Sequence, residues 1–487
     1  MSTIQSNPKI DLLLKNATDA AAVFSQLTQE HTDRIVKAVY QAGLKNRIKL
    51  AKMAVEETNM GVWQDKVIKN VVASLLVYDD IKDLKTVGII SDNRETGIME
   101  IAQPLGPILA VIPVTNPTST VLFKILIALK TRNPIIISPH TRAIKCSVET
   151  ARICYEAALK EDAPENCIQW VRDGSESAAE AANHRADSKI LMSHPKLALI
   201  LATGGSGIVK AAYASGTPAY GVGAGNVPVL IDKSAKIPFA VENIFISKTF
   251  DNGTICASEQ AVVVEKVIAN QVIEEFKLQK GYFLSEEEVE KVAKVAFDKE
   301  KDSMNGDIVG QSVKNIAKLA GITVPDDTRL LIAPQKFVGP DSPLSSEILC
   351  PIIAFYVTED FDSALSTCID LNFHGGMGHS ACLYANDKEV IKRFALEMNA
   401  GRIILNSPSS QGGVGGTYNK LHTSLTLGCG STGKNITTDN ITATHLMNIQ
   451  RVASRRENQR LFNFDKNYFF DESITVEDFE SRYDQNY

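Results

Sequence analysis

The spacing of apolar residues changes along the chain. Between residue 9 and about residue 57, apolar positions recur at helical spacing with charged residues between them, which predicts a helical layer. Residues 97–113 then look like strands, residues 118–130 have the spacing of an amphipathic helix, and residues 134–138 form a short apolar run. Such runs are typical of strands buried in a parallel sheet. A sheet covered by helices is therefore predicted to follow the helical layer.

The alternation of strand and helix continues into the C-terminal part of the chain. Further strands are expected at residues 168–171, 188–192, 197–202, 329–332, 381–384 and 402–405. Helical spacing recurs at residues 144–158, 175–183, 270–278, 286–296, 361–371 and 389–398. Regular alternation of this kind is typical of doubly wound lobes that bind nucleotides. The predicted fold class is α/β, with a Rossmann-type cofactor lobe followed by a second α/β lobe.

Length and composition narrow the class of protein. The 487 residues suit two or three lobes, and 44% hydrophobic with 22% charged residues is the composition of an ordinary soluble enzyme. A net charge of -6 argues against nucleic acid or a membrane surface as the main partner. The eight cysteines are scattered without CxxC pairs, so neither a disulfide framework nor a metal site is indicated. Because the N-terminus lacks an export signal, we expect a cytoplasmic protein that acts on small molecules.

Two glycine-rich stretches lie between the predicted lobes. Ala202-Thr-Gly-Gly-Ser-Gly207 joins the end of a strand to the start of a helix, where glycines and free N–H groups suit a phosphate. A plain strand-to-helix turn explains the same residues equally well. Gly221-Val-Gly-Ala-Gly-Asn226 then leads into an apolar strand that ends near Asp232. We expect the boundary between the lobes near this second stretch.

Cys256 is the candidate nucleophile. It lies in Phe250-Asp-Asn-Gly-Thr-Ile-Cys256-Ala-Ser-Glu-Gln, between a glycine turn and the small residues that open an apolar run. A turn of that kind leaves room for a substrate carbon and lets backbone N–H groups face it, provided that a thiolate is favoured locally. The alternative is a small buried hydrophobic residue, which is what most isolated cysteines are.

Four motifs in a fixed order identify a resemblance. They are Val114-Thr-Asn116-Pro-Thr-Ser-Thr, Ala202-Thr-Gly-Gly-Ser-Gly207, Gly221-Val-Gly-Ala-Gly-Asn226 and the Cys256 motif, supported by Ser345-Ser-Glu347-Ile-Leu-Cys-Pro and Met377-Gly-His379-Ser-Ala-Cys382. Together they resemble the coenzyme A-acylating branch of the aldehyde dehydrogenases, as in the aldehyde half of bifunctional aldehyde-alcohol dehydrogenases. The resemblance covers roughly residues 10 to 455.

The resemblance implies a covalent mechanism. Cys256 would attack an aldehyde, and the Asn116 amide with the Cys256 backbone N–H would hold the oxyanion. Hydrolytic relatives carry a glutamate where this chain has Gly221, so coenzyme A is the expected acceptor of the acyl group. His379 is expected to take the proton of the coenzyme A thiol, because an unperturbed imidazole titrates near pH 6.5. A structural loop histidine is the alternative for His379, and the same choice applies to His374.

The resemblance also implies a cofactor site without a metal. The residues expected to bind NAD are Thr115, Ser138, His140, Thr203, Gly204, Gly205, Gly223 and Glu347. Glu347 corresponds to the residue that binds the nicotinamide ribose, although a surface carboxylate is the alternative. Arg142 could accept a 2′-phosphate, which leaves NADP open while the branch favours NAD.

The domain organisation and the reaction complete the prediction. Residues 1–232 would form the NAD-binding domain with an arm strand near 87–101, residues 233–425 the catalytic domain, and residues 426–487 a return segment and oligomerisation arm. We expect a homodimer or a higher homo-oligomer. Acetaldehyde is the default substrate. The alternatives are an anionic aldehyde such as sulfoacetaldehyde or succinate semialdehyde, a hydrolytic dehydrogenase, and a non-catalytic component of a filament or microcompartment.

Overall fold

The chain forms two compact units. The computed structural model describes residues 7–172, 174, 184–298 and 303–485. The first unit comprises Met1–Leu84 and Pro104–Met447, and the second comprises Lys85–Gln103 and Asn448–Tyr487. The predicted boundaries at residues 232 and 425 stay a prediction. In the described part of the chain, no helix is long and apolar enough to cross a membrane.

A five-stranded parallel sheet forms the centre of the N-terminal part of the first unit. Its strands, in spatial order, are Ile168–Trp170, Ile135–Ser138, Ile108–Val111, Leu199–Thr203 and Ala219–Val222. Among these five strands, Ile108–Val111 comes first in the chain and lies in the middle, and the order reverses on either side of it. This is the topological switch point at which doubly wound sheets bind ligands. The predicted Rossmann-type α/β lobe is confirmed.

Helices cover this sheet and form the predicted N-terminal layer. Those of the layer are Pro8–Phe24, Gln29–Lys45, Arg47–Thr58 and Trp63–Val71, which continues through Val72–Leu76 into Val77–Ile81. The others are Pro117–Lys130, Ile144–Leu159, His184–Met192 and Ser206–Tyr213. The segment at 188–192 is thus helical rather than a strand, because an apolar run of that length does not distinguish the two. The helix predicted at 175–183 lies outside the described residues.

The helix Pro117–Lys130 departs from its predicted amphipathic character. Every residue of it is buried, because it packs against both the sheet and the N-terminal helices. Lys124 is accommodated there by donating to the carbonyls of Val111 and Leu201 at 2.7 and 2.8 Å. The helix begins directly after Asn116. The buried helix therefore holds Asn116 at the edge of the sheet where a ligand is expected to bind.

A seven-stranded parallel sheet forms the second α/β lobe. Its strands, in spatial order, are Gly281–Phe283, Leu330–Pro334, Ile352–Thr358, Glu259–Glu265, Val227–Ile231, Ala381–Tyr384 and Ile403–Leu405. The helices of this lobe are Ile237–Thr249, Lys266–Leu278, Glu286–Ala296, Val313–Ala320, Phe361–Gly375, Lys388–Glu397 and Ser409–Val414. The central strand Glu259–Glu265 is buried along its whole length. Cys256 lies immediately before it and is therefore attached to the most rigid part of the sheet.

The second unit has its own small sheet and aromatic cluster. Gly88–Asn93, Ile98–Pro104 and Met447–Ala453 form a three-stranded sheet, and the short helices Gln459–Phe462 and Val476–Gln485 follow. The rings of Phe464, Tyr468, Phe469 and Phe479 pack together. Several apolar side chains of this unit are exposed, with Phe470 at 81%. The oligomerisation arm predicted here stays a prediction.

Candidate active site

A cavity of about 780 Å³ lies at the carboxyl ends of the five-stranded sheet. Four strands end in its wall, at Val111, Ser138, Thr203 and Val222. The predicted site residues that line it are Thr115, Asn116, Ser138, His140, Thr203, Gly204, Gly205, Gly223, Cys256 and Glu347. The structure therefore brings these residues to one cavity. His379 does not line the cavity, but it contacts Cys256, which does.

Cys256 faces this cavity. It is partly exposed, whereas the other seven cysteines are buried, and this argues against the alternative of a buried hydrophobic residue. A Cβ atom at position 225 would come within 2.2 Å of the Cys256 carbonyl oxygen, so only glycine allows this close approach. Burial, and then the charge of Glu347, raise the pKa of the Cys256 thiol to about 12. The surroundings of Cys256 therefore favour the neutral thiol over the thiolate.

His379 is the partner of the Cys256 thiol. Its Nε2 atom lies 3.2 Å from the Cys256 Sγ atom, and its side chain is fully buried. Burial, and then the charge of Arg402, lower the pKa of His379 to about 3. The pKa of His379 therefore lies well below the value near 6.5 of an unperturbed imidazole. A neutral imidazole can accept a thiol proton at Nε2 when its own proton is on Nδ1, which lies 3.0 Å from the Ser380 hydroxyl oxygen.

Arg402 anchors the segment that carries His379. Its Nη1 group donates to the His379 carbonyl at 2.8 Å and to the Ser380 hydroxyl oxygen at 3.4 Å. The remaining guanidinium donors reach Asn440 Oδ1 and the carbonyls of Gly428 and Thr438. Because Arg402 is buried and bonded in all these directions, it fixes the backbone that carries His379. The imidazole itself is held by the contacts of its Nδ1 atom with Ser380 and its Nε2 atom with Cys256.

The Asn116 side chain lies beside the nucleophile loop. Its Nδ2 group donates to the Thr254 carbonyl at 3.1 Å and to the Thr115 hydroxyl at 3.0 Å. Its Oδ1 atom accepts a hydrogen bond from Lys69 Nζ at 2.6 Å. Since a lysine ammonium can only donate, this contact fixes which side of the amide is oxygen and which is nitrogen.

The glycine turn after Leu199–Thr203 has the shape of a dinucleotide site. Gly205 is the N-cap of the helix Ser206–Tyr213, and a Cβ atom at Gly205 or Gly223 would meet no described heavy atom within 4 Å. The missing side chains therefore leave an open cradle at a helix N-terminus, which suits a pyrophosphate. The residues present fit an NAD-type cofactor. Arg142, the predicted 2′-phosphate ligand, is not among the lining residues, whereas Lys189 is.

Glu347 is held by the second glycine stretch. Its Oε1 atom accepts the Gly225 N–H at 2.7 Å, and burial raises its pKa to about 7. It is partly buried and lines the cavity, unlike a surface carboxylate. Among the lining residues that the structure describes, it is the sole carboxylate. At Gly221, a Cβ atom would lie 2.7 Å from Val209 Cγ1, so the place of a hydrolytic glutamate is closed by packing.

The model of the aldehyde dehydrogenase family matches residues 3–418, which is most of the chain. The chain belongs to the aldehyde dehydrogenase family. The predicted resemblance is confirmed, and the two parallel sheets have the arrangement found in acylating aldehyde dehydrogenase structures.

Similar proteins come from both curated sequences and solved structures. Aldehyde-alcohol dehydrogenase 2 of Entamoeba histolytica is 46% identical over 453 residues, which is 92% of this chain and 51% of that protein. The chain thus spans about half the length of the curated relatives it matches. An acetylating aldehyde dehydrogenase structure from Geobacillus thermoglucosidasius is 46% identical with a TM-score of 0.87, covering 92% of this chain and 97% of that one.

A more distant aldehyde dehydrogenase structure contains the acyl acceptor. Propionaldehyde dehydrogenase of Rhodopseudomonas palustris, with bound CoA and an acylated cysteine, is 26% identical with a TM-score of 0.80. The match covers 91% of this chain and 97% of that chain. This likeness over nearly the whole chain extends the family relationship to a protein with an acylated cysteine.

Several residues of this aldehyde dehydrogenase site were not predicted from the sequence. Lys69 lies outside every predicted element, Arg402 was assigned only to the start of a strand, and Asp251 only to the nucleophile motif. All three are buried charged residues, and burial of such residues without a partner is rare. Their charge within otherwise apolar or small-residue segments is the one signal that could have indicated them. His374, the alternative histidine, binds the Ser346 hydroxyl oxygen at 3.1 Å and does not line the cavity.

Proposed function

We propose that the chain oxidises a short, uncharged aldehyde with NAD and coenzyme A, through a thioester on Cys256, to an acyl-CoA. The observation that carries the proposal is the contact of 3.2 Å between Cys256 Sγ and a neutral, buried His379 at the cavity. A neutral thiol next to a neutral base is suited to nucleophilic attack coupled to proton transfer. The acylated cysteine of the Rhodopseudomonas relative supports the same chemistry.

The first step is addition of the thiol to the aldehyde. Sγ of Cys256 forms a bond with the carbonyl carbon while its proton passes to His379 Nε2, and the carbonyl oxygen becomes an oxyanion. Asn116 Nδ2 and the Cys256 backbone N–H donate to this oxyanion. For this, the Asn116 amide exchanges its hydrogen bond to the Thr115 hydroxyl for one to the oxyanion. A donor placed in advance in this way is worth about 3 kcal/mol in the transition state.

In this proposal, residues that line the cavity would hold the cofactor. Thr203, Gly204 and Gly205 would hold its pyrophosphate, and Ser138 and His140 would border its adenosine. When bound, the nicotinamide would accept the hydride that the thiohemiacetal carbon loses, and this loss leaves a thioester on Cys256. Glu347, restrained by the Gly225 N–H, is the residue proposed for the nicotinamide ribose.

The second step transfers the acyl group to coenzyme A. The coenzyme A thiol has an ordinary pKa near 8.5 and is a few per cent ionised at pH 7. Once His379 has passed its first proton to solvent, it accepts the proton of the un-ionised coenzyme A thiol, the coenzyme A sulfur bonds to the thioester carbon, and the Cys256 sulfur leaves and takes that proton back from His379. Hydrolysis would need a carboxylate to activate water. The closed position at Gly221 and the engagement of Glu347 by Gly225 disfavour it.

The surroundings of Cys256 favour an uncharged substrate. Apolar residues pack around the thiol, namely Val222, Ile255, Val414 and Leu427. Among the described lining residues, Lys189 is the single lysine and none is arginine, and Lys189 lies on the helix His184–Met192 that packs against the cofactor sheet. An anionic aldehyde would leave its charge without a partner near Cys256. Acetaldehyde is therefore the proposed substrate.

The test measures reduced cofactor and acyl-CoA with acetaldehyde, succinate semialdehyde and sulfoacetaldehyde, each with and without coenzyme A and with NAD or NADP. We expect turnover to require coenzyme A, and kcat/KM to be at least about tenfold higher for acetaldehyde, since an unpaired buried charge costs more than 1.4 kcal/mol. NAD is the expected cofactor. Equal NADH formation without coenzyme A, with release of free acid, would contradict the acylating proposal.

We also propose that the chain self-associates through its second unit and acts in the reducing cytoplasm, where the Cys256 thiol stays free. Exposed apolar side chains of this unit, such as Ile89 at 55% and Phe470 at 81%, are best covered by a second copy. Light scattering on purified protein is expected to give a multiple of 53.0 kDa. A mass of one chain at micromolar concentration would contradict the self-association.

A further inference from the structure

A buried cluster of charges lies against Asn116. Lys66 and Lys69 extend from the helix Trp63–Val71, and Asp251 comes from the turn Phe250–Gly253 before the nucleophile. The exposed fractions of these residues are 2%, 4% and 0%. Asp251 Oδ2 lies 2.9 Å from Lys66 Nζ and 2.5 Å from Lys69 Nζ. A buried ionic cluster is costly to form, so its place beside the predicted oxyanion site calls for a role.

Lys69 uses each of its donors within this cluster. Its Nζ group donates to Asn116 Oδ1 at 2.6 Å, to Asp251 Oδ2 at 2.5 Å and to Thr254 Oγ1 at 2.9 Å. An ammonium has three N–H bonds, so these three acceptors satisfy it completely. Lys69 therefore joins the oxyanion amide, the turn and the nucleophile loop in one rigid arrangement.

Asp251 is held in place by further contacts. Its backbone has φ of 48°, in the left-handed region that a residue other than glycine seldom adopts. Its Oδ1 atom accepts the Val62 N–H at 2.7 Å, and its own N–H donates to Asp65 Oδ2 at 2.7 Å. Strained backbone persists where surrounding structure holds it, and it is found near functional sites. Here it presents a carboxylate to Lys69.

The contact with Lys69 decides how Asn116 faces the substrate. With Oδ1 bound to an ammonium, Nδ2 must point away from Lys69, toward Thr254 and the nucleophile loop. Without Lys69 the amide could turn over and present its oxygen to the oxyanion, which would repel it. The ammonium also polarises the amide, and a polarised N–H is a stronger donor.

We propose that Lys69 is a positioning residue for the oxyanion donor Asn116, with Asp251 holding its ammonium in place. This inference rests on the proposed function, because it requires Asn116 to donate to the oxyanion. Lys69 does not line the cavity, and the inference concerns its action on the substrate through the Asn116 amide.

A double-mutant cycle tests the inference. The four proteins are the unmodified chain, Lys69→Met, Asn116→Ala and the double variant, and kcat and KM for acetaldehyde are measured with NAD and coenzyme A. Lys69→Met is expected to lower kcat about 10- to 100-fold, less than the roughly 10²- to 10³-fold loss for a removed oxyanion donor. In the Asn116→Ala background, Lys69→Met is expected to lower kcat by less than about threefold, because the amide that Lys69 positions is absent.

The control is another buried, paired lysine. Lys130 is at the far end of the helix that begins after Asn116, and it donates to Asp33 Oδ1 at 2.6 Å. Lys130→Met is expected to lower the Tm as Lys69→Met does, with kcat within about threefold of the unmodified chain. Should Lys69→Met not fold, Lys69→Leu replaces it in the cycle, since it too lacks a donor to Asn116 and leaves Asp251 paired with Lys66.

Two outcomes would overturn the inference. One is an equal loss from the lysine substitution with and without Asn116, and the other is unchanged kcat in a folded Lys69 variant. Failure of the proposed function has a different signature, because the unmodified chain would then show no coenzyme A-dependent turnover at all.

Discussion

Replacing Cys256 by alanine is expected to abolish coenzyme A-dependent NADH formation, with a loss of at least about 10⁴-fold in kcat. The thiol is the atom that bonds to the substrate, and no other cysteine is exposed to the cavity in the described part of the chain. Initial rates at saturating acetaldehyde, NAD and coenzyme A measure the effect.

The matched control is Cys368→Ala. Cys368 is fully buried in the helix Phe361–Gly375 of the same lobe and does not line the cavity. Its variant is expected to keep activity near that of the unmodified chain. If Cys256→Ala retained more than a few per cent of the activity, the nucleophile would have to be another group. If assembly were unchanged in Cys256→Ala while activity was lost, a purely non-catalytic role would be excluded.

The same cysteine has a characteristic pH dependence. Burial raises its thiol pKa to about 12, so at neutral pH the thiolate is rare and its fraction grows about tenfold per pH unit. Alkylation of Cys256 by iodoacetamide is therefore expected to accelerate from pH 7 to pH 10 without a plateau. A rate that levels off below pH 8 would indicate a thiolate–imidazolium pair instead.

Replacing His379 by alanine is expected to have the second largest effect, a loss of about 10²- to 10⁴-fold in kcat. The imidazole lies 3.2 Å from the thiol and is the base for both Cys256 and the coenzyme A thiol in the proposed mechanism. Its pKa is lowered to about 3, so it becomes protonated only in strong acid. Between pH 5 and pH 8 the rate should therefore show no acidic limb from His379.

His374→Ala is the control for this substitution. His374 lies in the last turn of the helix Phe361–Gly375, shortly before His379 in the chain. It contacts the Ser346 hydroxyl oxygen and does not line the cavity. His374→Ala is expected to have a kcat within about threefold of the unmodified chain. Free imidazole is expected to restore part of the activity of His379→Ala and to leave His374→Ala unchanged. A His379→Ala enzyme as active as His374→Ala would show that His379 is a structural loop residue.

Much of the fold could be predicted from local patterns. Short apolar runs such as 134–138 and 381–384 form strands, as is typical of runs buried in a parallel sheet between turns. The segment 188–192 has a similar run but is helical, since its context in the chain, and not its composition, decides. The helix Pro117–Lys130 was located correctly, but its complete burial depends on elements far away in the chain.

The sequence by itself determined the family, the two α/β lobes and the residues Cys256, Asn116 and His379 as candidates, because motifs of this kind depend on neighbouring residues. The tertiary structure alone decided how these residues interact. His379 and Cys256 are 123 positions apart, and Lys69 and Asp251 are 182 apart, yet each pair is in contact. Their pKa values depend on the burial and charge that these contacts create, and no local pattern contains that information. The physical reason is that local spacing sets the elements, whereas charge and proton affinity depend on everything that surrounds a group in space.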